Sequence, residues 1–192
     1  MKTFMIGVLI ILALLFLGFI GIYNKLIRMI EAIRNNQKQI DIQLDRRFKV
    51  FESLINTVKK YMDYEKTTLV DVISLRTQAT TAAAAGDQKG RMEAENAISK
   101  IASNLNLVFE QYPNLKANEN ALQLQEEIVN TENKLTFAKQ ALNDSIERYN
   151  ATKKSFIEGI VVFFVPTLNV NFEYWQLPEA TVAEQEKYTV KF

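Results

Sequence analysis

The chain has 192 residues, enough for one domain of ordinary size and too few for two large ones. Its 23 Lys and Arg residues balance 22 Asp and Glu, leaving no global basic field for nucleic acid. Cysteine and histidine are both absent, which excludes disulfides, thiolate nucleophiles, Cys/His zinc sites and histidine acid–base chemistry. Six glycines and three prolines are few, and argue for long helices against a turn-rich all-β protein.

The first element is apolar. Seventeen of residues 1–22 are apolar, and the 19 residues from Phe4 to Ile22 carry no charge. At the helical rise this run spans roughly 28 Å, close to the hydrocarbon thickness of a bilayer. A cleaved signal peptide would have a shorter apolar core and a small-x-small site. Here Phe19, Ile20, Tyr23 and Lys25 interrupt the small residues Gly18, Gly21 and Asn24. The segment reads as a retained transmembrane anchor, with Phe4, Ile6, Leu9, Leu12, Leu15, Phe16, Phe19 and Ile22 facing lipid. Lys25, Arg28, Arg34 and Lys38 follow it against Lys2 and the α-amino group before it, which predicts a single pass with the bulk of the chain in the cytoplasm. Lys25, Arg28 and Arg34 are near enough to meet anionic headgroups.

Residues 23–155 read as a helical body. From Ile22 to Ala85 there is neither Gly nor Pro, and apolar residues recur at spacings of three and four: Leu26, Ile30, Ile33, Ile40, Leu44, Phe48, Phe51, Ile55, Val58, Met62, Leu69 and Val72. Gln37 and Glu65 interrupt this stripe, as polar positions in a coiled-coil seam do. Unbroken, the helix would be about 95 Å long and would need other helices to bury its stripe. Ala82 to Gly90 reads as a turn, with Gly86 and Gly90 as breakers and Asp87 as a cap. A second helix carries Ile98, Ile101, Leu105, Val108 and Tyr112 and stops at Pro113. Asn118 or Asn120 caps a third, which carries Leu124, Ile128, Leu135, Ala138, Leu142 and Tyr149; Asn120 with Gln123 has capping-box spacing. The expectation is all-α: one transmembrane helix continuing into a long antiparallel bundle of about three helices.

Residues 156–192 form an apolar, strand-like tail. Ile160 to Val165 is a continuous apolar run before Pro166. Leu168, Val170, Phe172 and Tyr174 then alternate with polar or bulky neighbours, as do Tyr188, Val190 and Phe192. Two short strands have few partners in one chain. They pair with another copy, lie against the bilayer or cover the end of their own bundle. Self-association would use Ile160, Val162, Phe164, Val170, Phe172, Tyr174, Val190 and Phe192.

Carboxylates are the only remaining metal or catalytic currency. Asp41 and Asp45 sit at i, i+4, but Arg46 and Arg47 follow at once, so salt bridges on a solvated face are expected. Glu126, Glu127 and Glu132 lack the Glu-x-x-His partner of carboxylate di-metal bundles. No GxGxxG, P-loop or G-x-S-x-G element occurs. The basic pairs Arg46-Arg47, Lys59-Lys60 and Lys153-Lys154 suit bundle or intersubunit salt bridges, and the aromatics are not interleaved with Arg for base stacking. No cofactor, metal, catalytic residue or nucleic acid is expected.

The chain resembles the LemA family of bacterial membrane proteins. The resemblance is carried by IDIQLDRRFKVFESLINTVKKYMDYEKTTL at Ile40 to Leu69, EQYPNLKANENALQLQEEIVNTENKLTFAKQALNDSIERYN at Glu110 to Asn150, Tyr23-Asn24 after the anchor and V-x-F at Val190 to Phe192. Tyr112 to Ala117 and Thr131 to Asn133 are its most specific parts. It implies a single N-terminal span in the cytoplasmic membrane and a long antiparallel helical domain, and carries over no catalytic residue. One relative belongs to machinery that shapes magnetosome membranes, so the resemblance also implies membrane organisation. Family members usually have a proline within the stretch Phe51 to Ile55 and a glycine where Lys60 stands; their absence implies a straighter first helix here.

Together these features predict a non-enzymatic, membrane-anchored helical scaffold, a homo-oligomer that organises or remodels the bacterial membrane and has the lipid bilayer as partner. The alternative is a receptor or adaptor that docks a soluble signalling protein or a membrane protease on the polar face between Pro113 and Glu127.

Overall fold

The computed structural model describes residues 1–58, 66–111, 113 and 117–176. Their regular structure is entirely helical: α1 (Lys2–Val58), α2 (Lys66–Ala84), α3 (Gln88–Gln111), α4 (Glu119–Lys153) and α5 (Phe156–Phe164), then a 3-10 turn at Pro166–Leu168. Met62, Glu65, Tyr112, the Lys59-Lys60 pair, most of the Tyr112 to Ala117 motif and the Tyr188 to Phe192 alternation lie outside the described residues, as do the side chains of Leu69 and Val108. The chain forms two compact units, Met1–Lys38 with Gln140–Tyr174 and Gln39–Lys139 with Trp175–Phe192.

The second unit is a helical bundle. One core joins Phe51, Leu54, Ile55 and Val58 of α1, Val72 of α2, Ile98, Ala102, Leu105 and Phe109 of α3, and Ala121 and Ile128 of α4. The three-and-four spacing of α1 is what brings its apolar residues onto this seam. A single unbroken helix through α1 and α2 is not what forms. A straight helix would place Arg47 and Arg76 about 43 Å apart, yet both bond to Glu95 of α3, Arg76 at 2.9 Å. The Arg76 guanidinium also sits 5.7 Å from the Phe48 ring centroid. So α2 runs back along α1, and the bundle has four helical segments among the described residues where three were expected. The physical reason is burial: folding α2 back covers the stripe that a lone helix would leave in water.

Local capping sets the α2–α3 and α4 boundaries. Gly86 has φ +76°, the left-handed conformation that closes α2. Asp87 caps α3, its Oδ1 accepting from the Gly90 N–H at 2.9 Å. Gly90 is not a breaker; it lies inside α3, where a Cβ would collide with the Asp87 carboxylate. Asn118, not Asn120, caps α4, accepting from the Ala121 N–H at 3.1 Å.

In the first unit, Leu26, Ile30 and Ile33 of α1 and Leu142, Ile146 and Tyr149 of α4 are buried. Asn36 donates to Ser145 Oγ at 2.7 Å and to the Ala141 carbonyl at 3.1 Å. The strand expectation for the tail is not met within the described residues. Ile160 to Phe164 belong to α5, Leu168 ends the 3-10 turn, and residues 169–176 form no strand. Among the described residues no neighbouring strand supplies a ladder, and the end of α4 supplies hydrogen bonds instead. The Tyr149 hydroxyl donates to the Leu168 carbonyl and accepts from the Val170 N–H at 3.0 Å; Lys153 donates to the Val170 carbonyl at 2.8 Å.

Candidate functional site

Two groups of residues stand out. The first is the apolar start of α1 with the elements beside its end. None of the most apolar 18-residue stretch of α1 is buried. Phe4, Ile6, Leu9, Leu12, Leu15 and Phe16 are exposed, whereas Phe19 and Ile22 are half-buried. Lys25, three residues past this run, bonds to Glu158 of α5 at 2.8 Å. Arg28 is exposed, and Arg34 pairs with Glu31 one turn earlier at 2.6 Å. Lys25 and Arg34 are thus tied within the protein while keeping exposed surface.

The predicted self-association residues separate. In α5, Ile160 and Phe164 share an exposed face one turn apart, while Val162 is half-buried on another side. A helix puts i and i+4 together and i+2 nearly opposite, where a strand would align all three. The Val170 backbone is engaged by Tyr149 and Lys153, and Phe172 stacks edge-on against Tyr149 with centroids 5.6 Å apart. Tyr174 accepts from Asn150 at 3.2 Å. Val190 and Phe192 lie outside the described residues.

The second group is a charged cluster inside the bundle. Arg47 and Glu95 are both 1% exposed and bond directly. Arg47 Nη1 also donates to Glu132 at 2.7 Å and to Ser99 Oγ at 2.8 Å, and Nη2 donates to the Glu95 carbonyl at 3.2 Å. With Arg76 on Glu95, two guanidinium groups meet two carboxylates and the charge closes on itself. Salt bridges were expected for Arg47, and it makes them, but inside the bundle and not on a solvated face. The signal against it was its spacing, three after Leu44 and four before Phe51, on the buried stripe. The sequence singled out neither Glu95 nor Arg76. Asp41, Asp45 and Glu127 do form salt bridges, to Arg91, Lys49 and Arg46. Next to the cluster, Lys139 lies 4.8 Å from the Trp175 ring centroid and 3.4 Å from Asn96 Oδ1. Burial, reinforced by the Arg47 charge, pulls its pKa down to about 8. Among the described residues no three acidic side chains gather in a way that would hold a metal ion.

Among the described residues, these features define a helical protein with one N-terminal helix long and apolar enough to cross a membrane. The LemA family model matches residues 36–192. The chain belongs to the LemA family. It is similar to Protein LemA of Metamycoplasma hominis, with 25% identity over 187 residues, which cover 97% of this chain and 81% of the relative.

Proposed function

We propose that the chain is a non-enzymatic, membrane-anchored scaffold that self-associates and organises a bacterial membrane around it. The observation that carries the anchor is the exposure of the apolar stretch of α1. That much unburied aliphatic and aromatic surface is stabilised by lipid at roughly 25 cal/mol per Å2. Its length suits one crossing, and Lys25, Arg28, Arg34 and Lys38 on its C-terminal side favour a cytoplasmic body. The buried charges support a structural role, because Arg47, Arg76, Glu95 and Glu132 satisfy one another.

Self-association is favoured by an uncovered stripe on α4. Leu122, Val129 and Phe137 are 36%, 48% and 70% exposed and fall within an arc of about 80° at 3.6 residues per turn, with the exposed Glu126 and Asn133 between them. A second copy lying alongside would bury this stripe. Light scattering coupled to gel filtration of the full chain in mild detergent tests the reading. A uniform particle of many subunits is expected, and Val129→Glu with Phe137→Glu should reduce it. A monomer contradicts self-association and assigns the stripe to a soluble partner, the adaptor reading; a dimer keeps the stripe as the contact and contradicts the larger assembly.

A further inference from the structure

Among the described elements α5 is the most apolar short one, with seven apolar residues in nine and a single charge, Glu158. Its surface divides cleanly. Phe156, Ile157, Ile160, Phe163 and Phe164 are between 47% and 85% exposed, and they occupy an arc of about 120° at 3.6 residues per turn. Val161 is buried and Glu158 is turned inward onto Lys25 at 2.8 Å. The only charge of the helix is therefore neutralised on its protein side, and its outer face carries none. Lys154, immediately before it, is exposed.

Its position selects the occupant of that face. Lys25 follows Ile22, the last residue of the apolar run, by three positions, about 4.5 Å along α1. An ion pair to Lys25 fixes the start of α5 at the level where α1 leaves its apolar stretch. Resting on the reading of α1 as a membrane anchor, we infer that α5 is an interfacial helix. It lies in the leaflet from which α1 emerges, with its Phe156, Ile157, Ile160, Phe163 and Phe164 face sunk into the headgroup–acyl boundary. Phenylalanine and isoleucine gain from the acyl region there, while Lys154 and the Lys25–Glu158 pair stay at headgroup depth. α5 thereby gives the anchor a second point of attachment and fixes the rotation of α1 about its own axis.

The absence of cysteine makes a direct test available. The full chain is reconstituted in phosphatidylcholine–phosphatidylglycerol vesicles with single cysteines at Phe156→Cys, Phe163→Cys, Ile10→Cys or Glu52→Cys, the last at an exposed position of the bundle, each carrying a fluorophore. Quenching is then compared between acyl-brominated lipid and aqueous iodide. Labels at 156 and 163 are expected to be quenched by brominated lipid several-fold more than the label at 52, and less than the label at 10. Lipid quenching at 10 with labels at 156 and 163 behaving like 52 overturns the inference and leaves the anchor intact. Labels at 156 and 163 shielded from both quenchers overturn it in favour of a second copy of the chain on this face. No lipid quenching at 10 overturns the anchor itself, and the interfacial helix with it.

Discussion

Lys25 and Glu158 are 133 positions apart in the chain and meet at 2.8 Å, joining the end of the uncharged run of α1 to α5. The Lys25 hydrogen bond holds the Glu158 carboxyl below its ordinary pKa. A carboxylate with a depressed folded pKa contributes stability above its unfolded value of 4.5, and this is lost as pH falls through the folded pKa. Lys25 is about half exposed, so the pair is worth under about 1 kcal/mol. Glu158→Gln should lower thermal stability slightly at pH 7 and remove part of the loss below pH 4.5. Melting curves from pH 3 to 7 check this.

Removing the buried Arg47 charge is costly. Arg47→Met leaves the buried Glu95 carboxylate with Arg76 alone and strips Glu132 and Ser99 of a donor, a loss of about 3–5 kcal/mol. Arg46→Met, next in sequence but on the exposed side, should change stability by about 1 kcal/mol or less. Denaturant titrations of the two variants in detergent give the contrast.

Lys139 gives the protein a pH dependence in a window that histidine and cysteine, both absent, leave open. Its folded pKa of about 8 lies below its ordinary 10.5, so between these values the unfolded chain binds the proton that the folded chain has released. Stability therefore rises with pH, by about 2 kcal/mol from pH 7.5 to 9.5. Lys139→Met should remove most of that rise. Lys153, also lowered by burial, supplies a remainder of the same sign. Unfolding titrations at half-unit pH steps measure the slope.

Tyr149 holds residues 168–170 with one hydroxyl. Tyr149→Phe leaves the Leu168 carbonyl and the Val170 N–H without this partner, a cost of about 1–3 kcal/mol. Proteolysis should accelerate around Asn169 to Gln176 while the bundle stays intact, read by mass spectrometry of the fragments.

Much of this architecture is legible in the spacing of residues. Leu26, Ile30, Ile33, Ile40, Leu44, Phe51, Ile55, Val58 and Val72 were marked by periodicity and are buried. Asp87 was marked as a cap by its place after Gly86 and before a helical pattern, and it caps α3. The reversal between α1 and α2 was hidden because no Gly or Pro marks it; the contacts of Arg47 and Arg76 with Glu95 reveal it. Arg47 was marked as a salt-bridge residue and is one; its burial was missed because charge type outweighed stripe position. In the tail, Leu168, Val170 and Phe172 do alternate, but alternation alone supplies no ladder, and Tyr149 and Lys153 take up the backbone groups. Ile160 to Val165 illustrates that a short apolar run has no period of its own. The residues before it, Phe156 and Ile157, complete the helical face.

The central claim is that α1 anchors the chain in a bilayer, and extraction of cell membranes tests it most directly. After washing at high salt and then with alkaline carbonate, the protein should stay in the membrane pellet and leave it only with detergent. Replacing Leu9, Leu12 and Leu15 with Lys should move it to the supernatant. Release of the unaltered chain by carbonate alone would contradict the account.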